Sequence, residues 1–310
     1  MKKLLIGLVL LLAAAAGTLY LSPSALLATV QFAERQQAGL SARQVQVGEF
    51  DIHYYEGGPQ DAETVLLVHG FGADKDNWLR FSGLLTDQYH VIALDLPGFG
   101  ESSKLPAASY DVSAQTERLA AFIQQLGLRQ PNLVGNSMGG HIVALYAARY
   151  PDQLRSLALF ANAGITSPKP SELMQILQRG EPNPLVVTSA EDFDRLMRFV
   201  FVEQPEIPAS LKQHFAERAI ANHAFNEKIF QQLMDNYVAL EPELAKIQVP
   251  TLLLWGEQDR LLDVSSIEVM QPLLKQPSVV VLKDCGHAPM IERAEETATD
   301  YKAFLAGIQD

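Results

Sequence analysis

Cysteine is almost missing: Cys285 is the single one in 310 residues. That excludes an intramolecular disulfide framework, a thiolate metal site and a lipid-modified cysteine after the N-terminal apolar run. Positive charge is scarce as well, with 24 Lys and Arg against 36 Asp and Glu, a formal charge of −12. A chain this acidic is repelled by phosphate backbones, so no nucleic acid is expected as a partner. Internal repeats and low-complexity tracts are lacking, and 20 Gly and 17 Pro give ordinary turn chemistry. What is present is apolar residue for a sizeable core: 48% apolar and 19% charged excludes a disordered chain. The length suits one large α/β domain with an insertion, or two domains.

One long uncharged run exists, at the start. After Met1-Lys2-Lys3, the 18 residues from Leu4 to Leu21 carry no charged side chain. As a helix they would reach about 27 Å, the low end of what spans a bilayer. Two readings follow. A secretory signal would be cut near Ala14-Ala15-Ala16-Gly17, leaving Thr18-Leu19-Tyr20-Leu21 apolar at the new terminus. An uncleaved anchor accounts for the full run and its continuation through Ala25-Leu26-Leu27-Ala28, so residues 1–30 are expected to be an anchor or signal segment. With Lys2 and Lys3 cytoplasmic, an anchored chain keeps its remainder on the extracytoplasmic (periplasmic) side; a cleaved one is secreted. The remainder is too acidic to hold anionic headgroups by charge, so the apolar N-terminus is the expected membrane contact.

From residue 44 onward, short apolar runs alternate with helical patterns. Val65–Val68, Val91–Leu94, Leu133-Val134, Leu157–Phe160, Thr251–Trp255 and Val279–Leu282 read as strands buried on both faces. Gln44–Val47 and Phe50–Tyr55 alternate more and meet at Gly48-Glu49, which predicts an antiparallel hairpin at the sheet edge. Helices are expected near 75–86, 112–126, 138–149, 264–275 and 290–307. The result is an α/β chain: an eight-stranded, mostly parallel sheet with helices on both faces. Between residues 164 and 244 the alternation stops, and Pro168, Pro170, Pro182, Pro184, Pro205 and Pro208 divide the chain into short helices. This interval should project from the strand carboxyl ends as a helical cap over a core of residues 44–163 and 245–310. Ligands in open α/β sheets bind at that edge. Its aromatics, from Phe193 and Phe199 to Tyr237, are expected mainly in the cap's own core, with a few facing a pocket.

Gly135-Asn136-Ser137-Met138-Gly139-Gly140 lies between a buried strand and an apolar helix. At such a turn only small residues fit beside the serine, and its hydroxyl is pushed out above the sheet. Ser137 is the expected nucleophile. It needs an imidazole oriented by a carboxylate, in the chain order serine, acid, histidine. Of seven histidines only His287, in Asp284-Cys285-Gly286-His287-Ala288-Pro289, follows the late strands. His141 should face away behind the nucleophile, and His69 should brace a loop. Asp259, in Trp255-Gly256-Glu257-Gln258-Asp259, is the expected acid; Asp263 is its rival, placed to cap the next helix. Backbone N–H groups of Met138 and of Phe71, in Val68-His69-Gly70-Phe71-Gly72, are the expected oxyanion hole. The turn Asp95–Ser102 is read as structural.

These motifs, in this order, resemble the α/β-hydrolase family, and are most similar to its membrane-anchored monoacylglycerol lipases and related bacterial lipases. The likeness extends to Asp74-Lys75-Asp76-Asn77-Trp78, to Leu262-Asp263-Val264-Ser265 and to Pro23-Ser24-Ala25-Leu26, which follows the apolar run that such lipases keep as an uncleaved anchor. It implies the α/β-hydrolase fold, hydrolysis of a small amphiphilic fatty-acid ester, and neither cofactor nor metal. One departure is Asn136, a threonine in that lipase. Gly-Asn-Ser-Met-Gly-Gly also resembles the turn of hydrolases that cleave carbon–carbon bonds in ring-fission products. Those place a tryptophan after the histidine, where this chain has Ala288, and bind an acidic dienoate through a cap arginine, for which Arg195, Arg198 and Arg218 are available. A non-catalytic binding protein of this fold would commonly lack a triad member; all three are present.

Overall fold

The structure is a computed structural model that describes residues 22–308. One sheet holds β1 (Leu40–Val47), β2 (Phe50–Gly57), β3 (Thr64–Val68), β4 (His90–Leu94), β5 (Asn132–Asn136), β6 (Ser156–Phe160), β7 (Thr251–Gly256) and β8 (Pro277–Leu282). The core helices before the cap are α1 (Pro23–Gln37), α2 (Leu79–Gly83), α3 (Val112–Gln125) and α4 (Met138–Arg149). The cap contains α5 (Glu172–Gln178), α6 (Ala190–Val200), α7 (Ala209–Ala221), α8 (His223–Asp235) and α9 (Glu241–Leu244). After β7 come α10 (Ser266–Met270), α11 (Pro289–Glu292) and α12 (Ala294–Ala306). The strand order is β1-β2-β4-β3-β5-β6-β7-β8, antiparallel through β1–β2–β4 and parallel from β4 to β8. The eight-stranded, mostly parallel sheet expected from the sequence is the one observed.

Its central strands are apolar throughout because both faces are covered. Along β3, Val65 and Leu67 join the layer containing Trp78, Phe81 and Tyr301, while Leu66 and Val68 join the layer containing Ile142 and Val143. Successive side chains point to opposite faces, so a strand between two helical layers needs an unbroken apolar run. The run Val279–Leu282 breaks this rule. It belongs to β8, which pairs with β7 alone, and Val279 and Val281 are 38% and 43% exposed. The expectation of burial on both faces fails there because only one face of this end strand is covered: Val280 and Leu282 pack with the Trp78 layer, and the face carrying Val279 and Val281 is open.

Three helices are shorter than their sequence patterns. The 75–86 stretch opens with a 3-10 turn, Lys75–Trp78, before α2. α10 gives way to another at Gln271–Leu273, where Pro272 has no N–H to continue the ladder. The 290–307 pattern breaks at Arg293, whose φ of −133° and ψ of 48° are not helical. α1 is an addition. Ser22 caps it by accepting from the Ala25 N–H, Pro23 occupies its first turn, and Leu27 is buried against the body. Ser-Pro at a helix start was a legible signal. No helix among the described residues is long and apolar enough to cross a membrane, and the Leu4–Leu21 run lies outside them.

Candidate active site

β5 ends at Asn136 and α4 begins at Met138, so Ser137 alone turns the chain. It does so at φ 57° and ψ −120°, strain of the order of 1–3 kcal/mol for a residue with a side chain. Neighbouring backbone holds it there. The Ser137 N–H donates to the Phe160 carbonyl at 3.0 Å, and its own carbonyl accepts from the His141 and Ala163 N–H groups. The flanking glycines are a steric requirement: a Cβ at Gly135 would stand 2.4 Å from the Gly139 oxygen, and one at Gly139 2.2 Å from the Val68 oxygen.

The loops after β7 and β8 bring the other two residues together. His287 Nδ1–H donates to Asp259 Oδ2 at 2.7 Å. Asp259 Oδ1 accepts from the Leu261 and Leu262 N–H groups at 2.8 and 3.1 Å, so the carboxylate is fixed on both oxygens. Both residues are buried. The bond to the acid leaves Nε2 as the basic nitrogen, and that atom is buried with no hydrogen-bond partner among the described residues. His287 and Ser137 line one cavity of about 490 Å³. The two side chains share that cavity without a hydrogen bond between them, and a buried polar atom without a partner calls for an explanation.

The remaining expectations fall as follows. Asp263 spends a carboxylate oxygen on the Ser265 N–H at 2.9 Å. Among the described residues, neither the Phe71 nor the Met138 backbone N–H donates to another group, and Gly70 and Phe71 line the cavity beside Ser137. His69 braces its loop: Nδ1–H donates to the Gly70 carbonyl, and Nε2 accepts from the Leu96 N–H. Burial holds its pKa below the usual histidine value. His141 donates to the Val238 carbonyl of the cap and is pushed down to about 4 by burial, so it stays neutral. Asp95 is structural, accepting from the Lys75 backbone and ammonium and from the Glu101 N–H. Phe193, Phe201 and Phe215 line the cavity, while Phe199 packs in a small core with Leu173 and Leu261. Of Arg195, Arg198 and Arg218, only Arg218 lines it.

Three positioning residues have no role in the sequence reading. Asn136 Nδ2 donates to both the Phe160 and His287 carbonyls at 3.0 Å, tying the nucleophile's strand to the histidine loop. Its place directly before the serine was the one visible sign. Arg260 binds both Glu172 oxygens, donates to the Arg198 carbonyl and lies over the Phe199 ring, clamping the acid's loop to the cap. Glu292 accepts from the N–H groups of Gly286, Val202 and Glu203, and the His287 N–H donates to the Val200 carbonyl. The cap therefore touches the loops that carry Asp259 and His287. Arg260 and Glu292 lie far from their partners in sequence, and no local pattern marks them.

Residues 63–294 match the family model for the alpha/beta hydrolase fold. The chain belongs to the α/β-hydrolase family. Lipase 3 of Moraxella sp. (strain TA144) is 39% identical to this α/β-hydrolase over 282 residues, 89% of the chain and 88% of the relative. Monoacylglycerol lipase abhd6-B of Xenopus laevis is 30% identical, over 93% and 88% of the two chains. A solved structure of a membrane phospholipase A, described as a novel bacterial virulence factor, is 62% identical, with a TM-score of 0.92 over 99% of both chains. On these relationships this α/β-hydrolase is an ester hydrolase of the lipase and esterase type.

Proposed function

We propose that Ser137, Asp259 and His287 form a catalytic triad that hydrolyses an acyl ester of an amphiphilic lipid through an acyl-enzyme. The observation that carries this reading is the His287–Asp259 bond, with its unpartnered Nε2 in a cavity shared with Ser137. Ser137 Oγ attacks the ester carbonyl carbon and its proton passes to His287 Nε2. The carbonyl oxygen, now negative, is received by the Phe71 and Met138 N–H groups; losing one such donor typically costs about 3–4 kcal/mol of transition-state stabilisation. Collapse of the intermediate breaks the bond to the alcohol, which leaves with the proton from Nε2. Water then attacks the acyl-enzyme by the same route and releases the acid, while Asp259 stabilises the transient imidazolium.

The apolar cap suits an acyl chain, and relatives named lipase, monoacylglycerol lipase and membrane phospholipase A act in the same sense. Residues 164–244 serve as the cap, monoacylglycerol-type lipids as substrates, and the N-terminal apolar segment as a membrane anchor that keeps the catalytic unit on the periplasmic side. Ser137→Ala tests the mechanism. Turnover of p-nitrophenyl esters and labelling by a fluorophosphonate probe are expected to vanish, by roughly a millionfold in kcat where a triad serine is removed, with the circular dichroism unaltered. Normal turnover in that variant refutes the triad.

A further inference from the structure

The cavity over Ser137 has two chemically different ends, and α7 displays both. Leu211, Phe215, Arg218 and its cap residue Asn222 are spaced at helical intervals along one stripe, and all line the cavity. From Leu211 to Asn222 that stripe runs about 16 Å. Its first half is apolar and continues into Phe193, Leu196 and Met197 of α6. Its second half meets Lys104, on the loop after β4: Lys104 Nζ lies 3.4 Å from Asn222 Oδ1, and the Asn222 amide donates to the Arg218 carbonyl.

Arg80, Lys104 and Arg218 are the cations of the described lining, and the last two interact at this end. Lys104 has no carboxylate partner among the described residues, and Arg218 reaches Asp74 with one nitrogen at 3.3 Å. Burial and then the Arg218 charge hold the Lys104 ammonium below its ordinary pKa, so the two like charges oppose each other. Asp74 is largely committed elsewhere, accepting from the Asp76 N–H and capping the 3-10 turn. Asp76, the next acid of the lining, accepts from Tyr55 and Gln31. Glu34 and Glu206, the remaining acids of the lining, sit on α1 and on the linker before α7. The described lining carries four acids against three cations, and Asp95 and Asp74 act on Lys104 in the opposite sense to Arg218, so the cation pair is a feature of one end of the cavity alone. An anion between the two would relieve their repulsion and could use the guanidinium fork as well as the ammonium.

We propose that Lys104, Arg218 and Asn222 form a subsite for the phosphate of a glycerophospholipid, whose acyl chain lies along α6 and the start of α7. This rests on the ester-hydrolase reading and names its substrate class: a phosphate a few bonds from the scissile ester, in place of the free hydroxyl of a monoacylglycerol. Lys104 and Arg218 are specificity residues; the acyl-transfer chemistry remains with Ser137.

The test uses the full chain in detergent micelles and compares kcat/KM on three lipids of one acyl length: a monoacylglycerol, the same molecule carrying a phosphate, and a diacyl phosphatidylglycerol. Lys104→Ala and Arg218→Gln are each expected to lower the ratio of phospholipid to monoacylglycerol kcat/KM by roughly tenfold or more. Lys104→Arg should restore the ratio. Loss of the ratio on the lyso substrate, the diacyl substrate or both supports the subsite and says which lipid brings the phosphate. The proposal is overturned by a ratio that does not move, by an equal fall on all three lipids, or by an unaltered chain that cleaves the monoacylglycerol alone. If the unaltered chain cleaves no ester and escapes the fluorophosphonate probe, the hydrolase reading itself has failed.

Discussion

The sheet and the cap are held by different forces. Strands β4, β5, β6 and β7 are buried at every position. In the cap, α7 buries only Leu211 and Ala216, and α8 only Ile229. The sheet is thus stabilised by a continuous interior, whereas the cap is a thinner layer that adds Ile229, Leu240 and Leu244 to that interior and is fastened by polar ties as well. Those ties include the Arg260 clamp, the Glu292 carboxylate, the bond from the His287 N–H to Val200 and the bond from His141 to the Val238 carbonyl. The division suits an enzyme whose reacting groups must not move while the wall of its cavity adapts. Strand ends supply the first property, and half-buried helices the second.

The sharpest way to break that division is to alter the acid. Asp259→Asn keeps the shape of the loop but removes the charge that orients His287 and stabilises its protonated form. A fall in kcat of roughly ten-thousandfold is expected, while Asp263→Asn should change kcat little because Asp263 only caps a turn. Steady-state kinetics on a p-nitrophenyl ester decides; a larger loss at Asp263 makes it the acid. Next in size are truncations on the two sides of the comparison. Leu253→Ala, at the fully buried centre of β7, should cost about 2–5 kcal/mol of stability. Phe215→Ala, on the half-buried wall of the cavity, should cost about 1 kcal/mol or less and raise KM for long-chain esters. Denaturant melts and a chain-length series measure both, and equal destabilisation would make the cap part of the same cooperative interior.

This contrast also explains what could be read without coordinates. The turns that carry Ser137, Asp259 and His287 were legible because each is a short glycine-bearing segment at a strand end, where local sterics restrict the sequence. The strands were legible because burial on two faces leaves an apolar run, and the same rule misjudged β8, since an edge position leaves no mark in such a run. Asn136, Arg260 and Glu292 act across long sequence separations, where one side chain's meaning depends on a loop the local pattern does not contain. α1 was hidden differently. Its apolar start, Ala25-Leu26-Leu27-Ala28, continued the preceding run and masked the Ser22-Pro23 cap.

A smaller effect is expected where the cap is fastened. Arg260→Ala removes the forked contact with Glu172, the bond to the Arg198 carbonyl and the stacking on Phe199. The ion pair is partly exposed, so a loss of about 0.2–1 kcal/mol in thermal stability is expected. Its effect on kcat should exceed its effect on stability, because the acid's loop loses its tie to α5 and α6. A double-mutant cycle with Glu172→Gln checks the coupling; additive effects would show that the clamp transmits nothing to the catalytic loop.

The last effect belongs to the seam between α1 and the sheet. Asp76 accepts from the Tyr55 hydroxyl at 2.6 Å and from the Gln31 side chain of α1. Burial, and then the negative charge of Asp74, raise its pKa from 3.8 to about 6; the Tyr55 bond and the Lys75 charge oppose the rise. A raised acid binds its proton more tightly in the folded chain than in the unfolded one. Its contribution to stability is therefore full below the unfolded value, declines as pH rises through about 6 and is absent above it. Asp76→Asn cannot ionise and should keep what the acid loses. The Tm of the variant relative to the parent is expected to climb between about pH 4 and pH 7 and then level off. A difference that stays flat across that range would mean that the carboxyl is not raised, and that α1 is held to the sheet by a charge rather than by a hydrogen-bonded neutral group.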